Sequence, residues 1–346
     1  MVKIKIAALF LLCVLFASCS AKTDSKEQAP EVVPQLVIFD TDMGNDIDDA
    51  MALDLLYKYM DKGQIQLLGI MINKDYYYSP EYVDIMNTWY GYPDIPIGIH
   101  TEGDSLSFSD ENYATRVCLM EKNEQYKRSV GNYNLLPKAE NLYRKLLSEQ
   151  PDNSVTVISV GFSTNLAKLL NTTADEYSPL TGIELIAKKV KLLSVMAGSF
   201  SKEGYVEYNV EINKDAAREV FAKWPVEIVV SPFELGEAIQ FPGTSIEQDL
   251  SWTENHPMAD GYKAFSQMPY NRPTWDLTSV LYVADSTFFG KSPKGSIHID
   301  EKGVSCFTED KDGKHSYLIT DEEQRSRILD YFIKTIAEKP LRYKSN

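Results

Sequence analysis

Six apolar runs recur along the chain, "LVIF", "IQLLGIMI", "IPIGI", "VTVISV", "VKLLSVMA" and "VEIVV", each parted from the next by amphipathic or loop-like sequence. A short apolar run without polar alternation has no face to offer water, so it reads as a strand buried on both sides. A sheet of such strands must be covered by helices on both faces. The helical pattern is expected at Asp48–Met60, Pro80–Tyr90, Lys138–Ser148, Asn165–Leu170, Lys214–Lys223, Thr274–Asp285 and Glu322–Glu338. The fold class is therefore α/β, an open, mainly parallel central sheet flanked by helices. After Ser296 the pieces "SIHI", "VSCF" and "HSYLI" are separated by turn signals at Glu301-Lys302-Gly303 and Lys311-Asp312-Gly313, which predicts a small antiparallel C-terminal edge. No linker interrupts residues 35–346, and one domain is expected there.

The beginning of the chain follows another logic. Lys3 and Lys5 precede an apolar run from Ile6 to Phe16, then Ala17 and Ser18 stand before Cys19. This is an export signal's layout, and the run is well short of the ~20 residues a membrane span needs. Residues 1–18 are expected to be a signal peptide. "FASC" is similar to a bacterial lipoprotein signal, in which cleavage exposes the cysteine for lipid attachment; Cys19 would then anchor an exported protein to a membrane on the periplasmic or cell-surface side. Residues 20–34, "SAKTDSKEQAPEVVP", read as a flexible tether. Cys118 and Cys306, within the domain, are too few for a disulfide scaffold, and their spacing leaves pairing open. A net charge of -15 argues against a nucleic-acid polymer as partner, because phosphate backbones are bound by cationic surfaces.

Five aspartates, Asp40, Asp42, Asp46, Asp48 and Asp49, follow directly on the first apolar run. Capping of the next helix accounts for one or two of them. The rest would repel one another at a buried strand end unless a cation compensates them. An EF-hand loop fails in detail, with Asn45 at the sixth position, Met51 at the twelfth and a strand in front. A phosphatase of the haloacid dehalogenase type would use Asp40 as nucleophile, and it needs a later lysine and acidic pair that the chain does not clearly supply.

"DTDMGNDIDDAMAL" resembles the N-terminal signature of the nucleoside hydrolases. Three later segments resemble that family's motifs in the same order: "VGFSTNLAKLL" its Gly-x-x-Thr-Asn turn, "EYNVEINKDAA" its Glu-aromatic-Asn segment, and "TWDLTSVLY" its closing metal-ligand helix. The resemblance implies a Ca²⁺ site built from Asp40, Asp42, Asp49 and Asp276 with the backbone carbonyl of Val160. It implies that Asp42 is the general base, that Asp48 contacts the ribose, and that Glu207 and Asn209 hold the sugar's outer hydroxyls. An all-oxygen set suits such a hard cation. Asn45 reads either as a turn residue or as a contact to the base. Without the family, Glu207 and Asn209 would read as exposed polar residues on an extended segment.

The chain departs from the family pattern in three places. The loop between Asp42 and Asp48 is two residues longer, which makes Asp46 an extra carboxylate; Asn213-Lys214-Asp215 replaces an Asp-Pro pair; and Trp275 stands where many members have histidine. An aromatic there is similar to the purine-specific branch, where it stacks on the base; otherwise Trp275 packs in the core. The resemblance implies calcium-dependent hydrolysis of a ribonucleoside's N-glycosidic bond, purines preferred, giving ribose and base. The rival from another class is a non-catalytic nucleoside- or sugar-binding lipoprotein. The sequence leaves open whether copies of the chain form a homo-oligomer.

Overall fold

Each of the six apolar runs becomes a strand of one ten-stranded sheet. The computed structural model describes residues 33–108, 111–120 and 126–344. The expected signal peptide and nearly all of the tether lie outside the described residues. The strands are β1 (Gln35–Thr41), β2 (Ile65–Ile72), β3 (Ile97–Ile99), β4 (Val155–Ser159), β5 (Val190–Met196) and β6 (Glu227–Ser231). Two short strands, β7 (Gln240–Phe241) and β8 (Arg272–Pro273), pair outside the main sheet. Then come β9 (Gly290–Lys291), β10 (Gly295–Ile299), β11 (Ser305–Glu309) and β12 (His315–Ile319). The order is β11-β10-β12-β6-β5-β4-β1-β2-β3, with β9 beside β12. The C-terminal edge is antiparallel where β10 meets β11 and β12, while β12 itself runs parallel to β6.

The helices are α1 (Asp48–Asp61), α2 (Tyr78–Tyr90), α3 (Tyr113–Leu119), α4 (Ala139–Ser148), α5 (Thr164–Leu170), α6 (Gly182–Lys189) and α7 (Tyr208–Ile212). They continue with α8 (Lys214–Lys223), α9 (Phe233–Glu237), α10 (Gly243–Gln248), α11 (Pro257–Phe265), α12 (Trp275–Ala284) and α13 (Glu322–Ala337). The seven expected helices all form. α3, α6, α7, α9, α10 and α11 were not anticipated, although some carry end signals. Asn112 and Thr115 make a capping box at α3, and His256 caps α11 directly before Pro257.

Alternation along β1 divides the core. Val37 and Phe39 point into the layer that holds Leu53 and Leu56 of α1, Met86 of α2, Val280 of α12 and Phe332 of α13. Ile38 points into the other layer, with Tyr143 and Leu146 of α4, Leu166 of α5, Ile186 of α6 and Phe221 of α8. A period of two thus assigns every β1 side chain to a face before any contact is made. The polar residues at the strand's end inherit that assignment.

Candidate active site

From β1 the chain builds the sheet toward β3, then returns and builds from β4 toward the opposite edge. β1 and β4 are neighbours at this reversal, where the loops beyond the strands' carboxyl ends diverge and leave a crevice. A cavity of about 320 Å³ lies there, within the range that small ligands fill. Asp42 follows β1, Val160 follows β4 and Met196 ends β5, and all three line it. The N-termini of α1 and α12 meet over the same cavity and bring Asp48, Asp49 and Asp276, with the Asp276 amide donating to Asp48 Oδ2 at 3.2 Å.

The end of β1 at Thr41 separates the first two aspartates, Asp40 within the strand and Asp42 in the loop beyond it. Asp40 shares the face of Ile38, is fully buried, and accepts hydrogen bonds from Tyr143 Oη at 2.8 Å and from the amides of Asn73 and Asn165. It is not among the residues lining the cavity. A carboxylate so occupied is poorly placed as a phosphatase nucleophile, and equally as the metal ligand that the family resemblance implied. Burial pushes it up to about 7, against the lowering effect of its three donors. Thr41 points the other way and donates its hydroxyl to Asp49.

The remaining carboxylates face one another. Ligand atoms of Asp48, Asp49 and Asp276 lie within 4.8 Å of each other, and all three residues are buried. Burial and then repulsion from neighbouring carboxylates, Asp42 in the case of Asp49, push each of them well above the usual carboxylate range. Burial also raises Asp42 to about 6, tempered by the hydrogen bond from Asn45 and by the charge of Lys74. The Val160 carbonyl accepts Asn209 Nδ2 at 3.0 Å and keeps a second lone pair. Four crowded carboxylates and a carbonyl, with no histidine or cysteine among the lining residues, fit a hard divalent cation.

Glu207 and Asn209 also line the cavity, but not from an extended segment. Glu207 caps α7, and its carboxylate accepts the backbone amides of Asn209 at 2.8 Å, Gly198 at 3.0 Å and Val210 at 3.3 Å. Burial nevertheless raises it to about 7. Asn45 bridges Asp42 and Lys74, so it is both a turn residue and a lining residue. Trp275 stacks on Phe233 at 5.3 Å, its indole N–H donates to the Phe233 carbonyl at 2.9 Å, and both rings line the cavity with Tyr208.

Two glycines set these distances. A Cβ at Gly161 would lie 2.5 Å from the Asp42 nitrogen and 2.8 Å from the Asn73 amide, so the turn after β4 can press on the Asp42 backbone only without a side chain. A Cβ at Gly236 would lie 2.4 Å from Trp275 Cα, which brings α9 directly against the start of α12. Sequence reasoning missed Asn73, which ties Asp40 to the Phe162 amide, and Arg272, which pairs with Asp46 from 226 positions away. No local pattern marks either. None of His100, His256, His298 and His315 lines the cavity, and Cys118 and Cys306 are free thiols.

Residues 37–330 match the family described as inosine-uridine preferring nucleoside hydrolase. The chain belongs to this family. Nucleoside hydrolysis is thereby its general activity. Sequence comparison with curated proteins finds no match for this nucleoside hydrolase. Its fold is similar to that of a plant nucleoside hydrolase, with a TM-score of 0.68, 17% identity and coverage of 88% of this chain and 100% of the other. An inosine-uridine preferring nucleoside hydrolase from Bacillus anthracis gives 0.65 at 18% identity, covering 88% and 99%. A purine-preferring ribonucleoside hydrolase from Gardnerella vaginalis gives 0.65 at 14% identity, covering 88% and 98%. At these identities the likeness is one of fold.

Proposed function

We propose that this protein is a Ca²⁺-dependent, purine-preferring ribonucleoside hydrolase. The observation that carries the reading is the meeting, in one cavity, of five buried carboxylates, Asp42, Asp48, Asp49, Glu207 and Asp276, with an aromatic wall of Trp275, Phe233 and Tyr208. Asp42, Asp49, Asp276 and the Val160 carbonyl would hold the cation, with Asp40 supporting the strand end from the other face. When bound, Ca²⁺ supplies charge that compensates the carboxylates and coordination positions for water and vicinal hydroxyls. Asp42 takes the proton of the attacking water. Asp48 binds a ribose hydroxyl, and Glu207 and Asn209 bind the outer ones. The surrounding carboxylates stabilise positive charge developing on the ribosyl ring. The base lies toward Trp275, with Asn45 available at the cavity wall.

Purified protein incubated with a panel of ribonucleosides and assayed for free ribose tests the reading and separates it from a non-catalytic binding protein. Inosine, adenosine or guanosine is expected to be cleaved ahead of uridine and cytidine. Stacking on an aromatic platform is worth roughly 1–3 kcal/mol per base, so Trp275→Ala should lose purine turnover by about tenfold to a hundredfold while its calcium content stays constant. Uridine kinetics equal to those of inosine, or an indifferent Trp275→Ala enzyme, would return the indole to a packing role.

The N-terminal sequence supports a further proposal, that the protein is exported and lipid-anchored at Cys19. A bacterial host fed a labelled fatty acid should label the full chain and retain it in the membrane fraction. Cys19→Ala should abolish both, and an unlabelled wild-type chain would rule the anchor out.

A further inference from the structure

Arg272 and Asp46 line the cavity, yet the chemistry described above uses neither. Asp46 comes from the lengthened loop before α1, and Arg272 opens β8. Arg272 Nε donates to Asp46 Oδ1 at 2.7 Å, and Nη2 is paired with Oδ2. The guanidinium carbon lies 5.1 Å from the centre of the Trp275 ring and 4.9 Å from that of Phe265. The group is thus fixed by a bidentate partner and two aromatic rings. Among the lining residues it is the sole arginine or lysine, and it sits beside the indole that forms the base end of the cavity. Nη1 has no hydrogen-bond acceptor among the described residues.

We propose that Arg272 stabilises the negative charge that develops on the departing base, and that Asp46 is the residue that positions it. The inference rests on the hydrolase reading and supplies the leaving-group partner for which the cavity offers no histidine. In the step, the C1′–N bond breaks and its electron pair passes to the ring nitrogen of the base. The water oxygen bonds to C1′ as Asp42 receives its proton. The base anion then takes a proton from solvent and Asp42 returns one, so atoms and charge balance. A guanidinium stays protonated throughout. It therefore acts by charge-assisted hydrogen bonding rather than as an acid.

The test compares two ribosides on the full chain: inosine, whose base leaves as a poor anion, and 4-nitrophenyl riboside, whose phenolate leaves unaided. Removing one donor to developing charge costs roughly 10²–10³ in rate, so Arg272→Gln should lose about 10²-fold in kcat/KM with inosine and stay within about threefold with the nitrophenyl riboside. Asp46→Asn should show the same selectivity with a smaller loss, and Arg272→Lys should recover part of the inosine rate. Equal losses on both substrates would make the pair a structural clamp and overturn the proposal, as would an unaffected inosine rate. Should the variants fail to fold, wild-type rates across phenyl ribosides of graded leaving-group pKa decide, a shallow dependence supporting the role and a steep one overturning it. A wild-type protein inert toward both ribosides overturns the hydrolase reading and this one with it; activity on both with no selective loss overturns this one alone.

Discussion

Asp42→Asn is expected to lower turnover by about 10²-fold or more, the usual weight of general-base catalysis, while leaving the fold intact. Asn has the shape of Asp, and its oxygen can still accept the hydrogen bond that Asn45 gives to Asp42 Oδ2. The other position then carries an amide NH₂, which cannot take a proton from water. The substitution also removes one negative charge from a crowded set, so calcium content must be measured on the same preparation. Turnover near wild type with full calcium would dismiss Asp42 as the base. Lost turnover with lost calcium would assign it to metal binding alone.

Metal removal has the other large effect, and it depends on pH. Asp42 is raised to about 6, Asp40 and Glu207 to about 7, and Asp48, Asp49 and Asp276 well above the carboxylate range, in each case chiefly by burial. A carboxyl whose pKa is higher folded than unfolded binds more protons in the folded state between those two values. Stability then falls as pH rises through that window. Each pKa unit by which folding raises a carboxyl costs about 1.36 kcal/mol at a pH above both values. Bound calcium would offset such a penalty by occupying the deprotonated groups, and a ligand at 1,000 times its Kd adds about 4 kcal/mol. The chelated protein should therefore lose turnover, and its Tm deficit relative to the calcium-loaded form should be larger at pH 8 than at pH 5. A Tm and a rate that both ignore exhaustive chelation would refute the metal site.

The strands and long helices were legible because burial on two faces leaves an unbroken apolar run, and burial on one face leaves a 3.6-residue period. Short elements carry too few residues for either pattern. α7 is the telling case: Glu207 and Asn209 read as extended, and it is the Glu207 carboxylate, folded back onto the amides of Asn209 and Val210, that opens a helix there. Asp40 illustrates a second limit. Motif likeness grouped it with Asp42, whereas Asp40 lies within β1 facing Tyr143 and Asp42 lies past the strand's end in the cavity wall. Arg272 illustrates a third, since a pairing across 226 positions exists only once β8 has been laid beside the loop before α1. Asp42, Asp48 and Asp49 were recognisable by their clustering, Asp276 and Glu207 only through the family resemblance, and the groups that hold them in place by geometry alone.

Trp275 and Asp276 are consecutive residues, one in the aromatic wall and the other in the carboxylate cluster, and Gly236 packs against the backbone beneath them. The two ends of the cavity therefore share a single mechanical footing. Any movement of the first turn of α12 carries the indole and the carboxylate together, so under the proposed function base selection and cation retention would be coupled through that helix. Changes confined to the base end have to come from elsewhere, from the loop bearing Asp46 or from Phe233 on α9.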